Sequence, residues 1–110
     1  MIFINNENEL TWNNKYQALY FYAVWMPFNQ KVMYKLNILN EELPFVSIFA
    51  IDTDYFKGLC KRFDVTTIPT IIIMENGKEA KRIEGVVHSE EFAAIFDDIC
   101  TSEPTITGEK

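Results

Sequence analysis

The densest apolar run of the chain, residues 18–24 (ALYFYAV), has no helical spacing and predicts a strand buried on both faces. A short loop follows, in which Pro27 suits the first position of a helix because its missing N–H costs nothing there. Beyond it, Val32, Met33, Leu36 and Leu39 fall at i, i+1, i+4 and i+7, one apolar face of a helix that closes near Asn40-Glu41-Glu42. Upstream, Ile2, Phe3 and Ile4 form a short apolar opening that reads as an edge strand. Asn6 and Glu9 have the spacing of a capping box, with Leu10 and Trp12 on the buried side of a short first helix. Asn13-Asn14 is expected to end that helix, since Asn tolerates left-handed geometry.

Downstream, Pro44 opens a second buried strand over 45–51, and two parallel strands joined by a helix make a right-handed βαβ unit. Asp52, Thr53 and Asp54 are N-cap candidates for a helix over 55–63, whose Phe56, Leu59, Cys60 and Phe63 share one face. Cys60 reads there as a small buried hydrophobe. Thr66-Thr67-Ile68-Pro69-Thr70 leads into a strand over 71–74, and Glu75-Asn76-Gly77-Lys78 is a hairpin turn that accepts positive φ at its centre. Residues 81–87 return antiparallel, with Gly85 in the middle or at a bulge. His88-Ser89-Glu90-Glu91 then caps a last helix bearing Phe92, Ile95, Phe96 and Ile99. The pattern predicts one domain over residues 1–100 and a flexible polar tail over 101–110.

Composition narrows the choice of chemistry. The longest apolar runs fall far short of the ~20 residues a membrane helix needs. The first ten residues lack the positive start and apolar stretch of a signal peptide, so a cytoplasmic location is expected. A formal net charge of −6 argues against a general nucleic-acid binder, which needs a basic stripe. Cys60 and Cys100 are too few for a disulfide framework or a zinc site, and the lone His88 has no second ligand. Gly77 and Gly85 lack the spacing of a phosphate loop. Asp97 and Asp98, with Glu90 and Glu91, read as a solvated acidic face. No metal or cofactor is expected. Strand-to-helix turns are where α/β proteins often place their chemistry, because the helix N-terminus offers free N–H groups. Here that turn is Trp25-Met26-Pro27-Phe28-Asn29-Gln30, without a cysteine, serine, histidine, acid or lysine.

The element order β-α-β-α-β-α-β-β-α resembles the thioredoxin family. The resemblance rests on the strand ending in Ala23-Val24-Trp25, the Val65-Thr66-Thr67-Ile68-Pro69-Thr70 segment, the Asn76-Gly77-Lys78 hairpin and Gly85. It implies an α/β thioredoxin fold, a central mixed sheet of four to five strands flanked by helices. It also implies a cis Pro69 facing the active-site loop, where neighbouring backbone pairs with an extended substrate. The family's Cys-Gly-Pro-Cys loop falls on Met26-Pro27-Phe28-Asn29, its buried acid on Tyr20, the acid's lysine partner on Ile48 and its helix proline on Tyr34. Thiol–disulfide exchange needs an attacking thiolate, which neither a thioether nor an amide can supply.

The resemblance therefore implies a redox-inactive thioredoxin-like protein that binds a protein or extended peptide. The binding residues would be Trp25, Met26, Pro27, Phe28 and Asn29, with Ile68, Pro69 and Gly85 beside them. Two alternatives stand next to it. One is a thiol oxidoreductase using Cys60, which Lys57, Lys61 and Arg62 flank, or Cys100; the other is a structural subunit of a larger assembly. The loop also has a plain structural reading, with Met26 and Phe28 folded back onto Tyr22 and Tyr34. Tyr20 in place of a buried acid is expected to add stability, because an unpaired buried charge is costly.

Overall fold

The computed structural model describes residues 1–85, together with residues 94, 97 and 98. Five strands form one sheet: β1 (Ile2–Phe3), β2 (Tyr16–Tyr22), β3 (Val46–Asp52), β4 (Thr70–Glu75) and β5 (Lys78–Glu84). Their spatial order is β1-β3-β2-β4-β5. β1 and β2 run parallel to β3, while β4 runs antiparallel to β2 and β5 antiparallel to β4. Helix α1 (Asn29–Glu42) joins β2 to β3, and α2 (Lys57–Arg62) lies between β3 and β4.

β2 is central and buried along its whole length. Because side chains alternate across a strand, its residues divide between two cores. Tyr16, Ala18, Tyr20 and Tyr22 pack with Val32 and Leu36 of α1 on one face. Leu19 and Phe21 pack with Leu59 of α2, and with Ile4 and Leu10, on the other. Each fully buried Leu, Phe or Ile contributes about 1.5–3 kcal/mol relative to exposure, so β2 anchors both layers at once. Gln17 is the polar exception: it is 1% exposed and donates from Nε2 to the Thr11 carbonyl.

Several boundaries differ from the sequence expectation, each for a local reason. The apolar run predicted over 18–24 leaves the sheet after Tyr22, and Val24 is 68% exposed. The second strand starts at Val46, leaving Phe45 outside it and exposed. Helix α1 begins at Asn29 and not at Pro27, because two tight turns come first. The Met26 N–H bonds the Ala23 carbonyl, and the Asn29 N–H bonds that of Met26. The expected first helix is a single 3-10 turn over Glu7–Glu9. Asn6 Oδ1 accepts from the Asn8 N–H, but Glu9 reaches past Asn6 to the Asn5 N–H. Trp12 remains partly exposed beside the buried Leu10. Neither Asn13 nor Asn14 is left-handed; Asn14 instead donates its amide to Ser47 Oγ.

Asp52 caps nothing by side chain on α2. Its Oδ1 holds the Asp54 N–H in a turn, and the helix starts at Lys57 behind an uncapped Phe56. The predicted apolar face is nevertheless there: Phe56, Cys60 and Phe63 pack around Leu59. The hairpin turn has φ of 53° at Asn76 and 79° at Gly77, the left-handed pair a two-residue turn needs. β5 starts directly at Lys78, and its bulge falls at Ala80, where the register passes from Ile73–Lys81 to Met74–Glu79. Gly85 follows the strand, outside its middle, with φ of 89°. Ala94, Asp97 and Asp98 are helical and exposed. The last helix's cap at His88, its apolar residues, Cys100 and the 101–110 tail lie outside the described residues.

Candidate functional site

Three connections meet at one end of the sheet. Tyr22 closes β2 opposite Asp52 of β3, and Phe21 lies opposite Thr70 at the start of β4. The loop after β2, the segment after β3 and the segment before β4 therefore adjoin. Thr53 fastens the second to the first, its N–H and hydroxyl both donating to the Tyr22 carbonyl at 2.8 and 3.0 Å. Thr70 pairs with Glu84, so Gly85 reaches the same end, and its N–H bonds the Pro69 carbonyl at 2.9 Å. The Ile68–Pro69 peptide bond is cis.

The eight residues expected at the site thus come from neighbouring segments, but they do not all face outward. Trp25 and Phe28 are 66% and 56% exposed. Trp25 is held in place, its Nε1 donating to Asp54 Oδ2 at 3.1 Å. Met26 does fold back, packing against the α1-side core, whereas Phe28 does not. Ile68 is half-buried, and its backbone N–H and carbonyl have no backbone partner among the described residues. Asn29 corrects the expectation: at 5% exposed it belongs to the interior and not to a partner-facing surface. The Pro69 carbonyl is likewise already taken.

The inward turn of Asn29 has a chemical cause. Tyr20, fully buried one strand away, donates its hydroxyl to Asn29 Oδ1 at 2.9 Å. The amide end of Asn29 faces the Met33 thioether, 3.8 Å away and one helical turn on. Tyr20 stacks on Tyr22, with ring centroids 5.4 Å apart and planes 11° apart. Burial, and then the neighbouring Tyr22, pushes the Tyr20 hydroxyl far above the ordinary tyrosine range, so it stays protonated and can donate. Burial raises Tyr22 too, with Asp52 adding to the effect. The arrangement is a neutral, hydrogen-bonded interior beneath an exposed apolar rim.

Sequence reasoning misses three members of this end. Asp54 reads in the sequence as a helix cap, yet it tethers Trp25; its place beside the loop follows from parallel β2 and β3 ending together. Tyr55 is 82% exposed and Val24 68% exposed, and both extend the apolar rim. Tyr55 gives a signal as a large ring directly after a turn, but helical periodicity places it on the helix.

Cys60 sits elsewhere. It is half-buried on α2, packed in the second core. Burial pushes its thiol up, and Lys57 offsets only part of that rise.

Comparison with known proteins agrees with this architecture. A family model described as thioredoxin matches residues 4–98. The chain belongs to the thioredoxin family. Among curated relatives, thioredoxin of Chlamydia muridarum is 35% identical over 76 residues, covering 69% of this chain and 74% of that one. Thioredoxin H2 of Arabidopsis thaliana is 28% identical over 83 residues, covering 76% of this chain but 62% of that protein. A mutant thioredoxin from Halobacterium salinarum superposes with a TM-score of 0.80 at 19% identity, covering 88% of each chain.

Proposed function

We propose that this chain is a redox-inactive member of its family that works by binding a protein, or an extended segment of one, through the loop after β2. The observation that carries the proposal is the split within that loop. Tyr20 and Asn29 satisfy one another inside, at 2.9 Å, while Trp25 and Phe28 stand out from the surface. On the family pattern, Tyr20 occupies the place of the buried acid and Asn29 that of the second cysteine. Both reactive groups would then have been exchanged for a matched donor and acceptor. Met26, at the first cysteine position, holds a thioether that cannot form the thiolate exchange requires.

The rim supports a binding role. Exposed apolar clusters mark interaction sites more often than chance, and a rigid tryptophan is a frequent anchor at such sites. The backbone groups of Ile68, without a backbone partner among the described residues, supply the polar edge along which an extended segment can add as a strand. The relatives' name, thioredoxin, keeps a thiol reading in view, and Cys60 is the residue that would have to carry it among the described ones. Its raised pKa and partial burial oppose it. Insulin-disulfide reduction with a dithiol donor tests the two readings: turnover at background is expected, and turnover abolished by Cys60→Ser would sink the proposal.

A further inference from the structure

The rim around Trp25 is apolar, but the polar groups set into it are of one kind. Tyr22 and Asp52 are partners across the parallel β2–β3 pair, so their side chains leave the sheet on the same face. Tyr22 is 7% exposed, yet its hydroxyl has no hydrogen-bond partner among the described residues. Asp52 lies close enough for its charge to act on that hydroxyl, second only to burial in raising it. Buried polar groups are paired in the great majority of cases, so an open one beside a carboxylate points to a ligand.

The two carboxylates are open in the same sense. Asp52 Oδ1 accepts from the Asp54 N–H, and Asp54 Oδ2 accepts from Trp25 Nε1. Asp52 Oδ2 and Asp54 Oδ1 are left without a donor among the described residues. Neither acid is in an ion pair there: Lys57, which opens α2, and Lys31, three residues beyond Phe28, reach neither. Trp25 and Tyr55 set largely exposed rings beside these carboxylates, one bonded to Asp54 by its indole edge and the other next to it in the chain.

We infer that the segment bound at this end of the sheet carries an arginine or lysine, its charged head docked between Asp52 and Asp54 beside the Tyr22 hydroxyl and its stem along Trp25. The inference rests on the binding role proposed above and adds the chemistry of the occupant. Arginine and lysine carry donors only, and the three open groups are oxygens able to accept. Aromatic rings next to carboxylates favour a cation over a neutral or acidic group. A net charge of −6 steers a basic segment inward and opposes nucleic acid and anionic membrane surfaces alike.

The test is selection of short peptides from a displayed random library on the immobilised full chain, followed by affinity measurements with the enriched peptides. Enrichment of arginine or lysine next to apolar residues is expected. Replacing that base with glutamine should weaken binding about tenfold, the scale of a lost hydrogen bond to a charged group. Asp52→Asn and Asp54→Asn remove charge but keep an acceptor for the Asp54 N–H and for Trp25 Nε1. Each variant should unfold like wild type and also bind about tenfold more weakly. Peptides that need Trp25 and Phe28 but carry no base, or that bind both asparagine variants at full affinity, would overturn the inference and leave the binding role standing. Peptides indifferent to Trp25→Ala/Phe28→Ala, or no enrichment at all, would overturn both.

Discussion

Tyr20 and Asn29 are each visible in the sequence as departures from a family pattern, but the bond between them is not. Two turns between β2 and α1 decide whether position 29 points inward, and no periodicity encodes that. With the hydroxyl gone, the Asn29 oxygen would be a buried acceptor without a donor. Tyr20→Phe should therefore cost about 1–3 kcal/mol in urea unfolding. Tyr20→Phe combined with Asn29→Leu should cost less than the two single changes added, because both polar partners leave together.

The raised Tyr20 pKa adds a pH dependence of known sign. A group whose folded pKa exceeds its unfolded value stabilises the fold fully below the unfolded value, about 10 for tyrosine. That contribution is lost as pH climbs toward the folded value, because only the unfolded chain can ionise. The stability advantage of wild type over Tyr20→Phe should thus hold steady at neutral pH and shrink above about pH 10. An advantage that grew with alkalinity would mean that Tyr20 ionises in the folded protein.

Among the elements, the hairpin is the most readable, since Asn-Gly encodes its own backbone geometry. The short α2 is the least: its apolar face is plain, but Asp52 spends its side chain on a turn, so the capping signal points to the wrong start. Nothing in the sequence foretells the role of Arg82. It crosses from β5 to donate to the Phe63 and Asp64 carbonyls at 2.6 and 3.1 Å, closing the end of α2. Two glycines give a contrasting test by thermal or urea unfolding. Gly77→Ala meets no atom within 4 Å but must keep φ of 79°, so it should cost about 1–2 kcal/mol. Gly58→Ala lies inside α2, where its Cβ would come 3.0 Å from Glu7 Oε2. That carboxylate ends an exposed, flexible side chain, so the helix preference of alanine, up to about 1 kcal/mol, should leave this variant neutral or more stable.

For the molecule as a whole, the element order along the chain and the two-sided burial of the central strand follow from the apolar runs and the resemblance together, whereas the order of strands in the sheet comes from the structure. What lies beyond them is which apolar residues the fold leaves uncovered. Val24, Trp25 and Phe28 continue the most hydrophobic stretch of the chain, yet they leave the sheet, and only Met26 among the loop's large side chains returns to the core. Hydrophobicity alone does not separate a buried strand from an apolar rim, because both read as one run. Since Trp25 and Phe28 are largely exposed, replacing both with alanine should change stability by no more than about 0.5 kcal/mol each. The decisive measurement is affinity capture from native extract with the wild-type chain beside a folded Trp25→Ala/Phe28→Ala variant. A protein held by the wild type and lost by the variant is the predicted result. The same proteins captured by both, or none by either, would contradict a binding role for this end of the sheet.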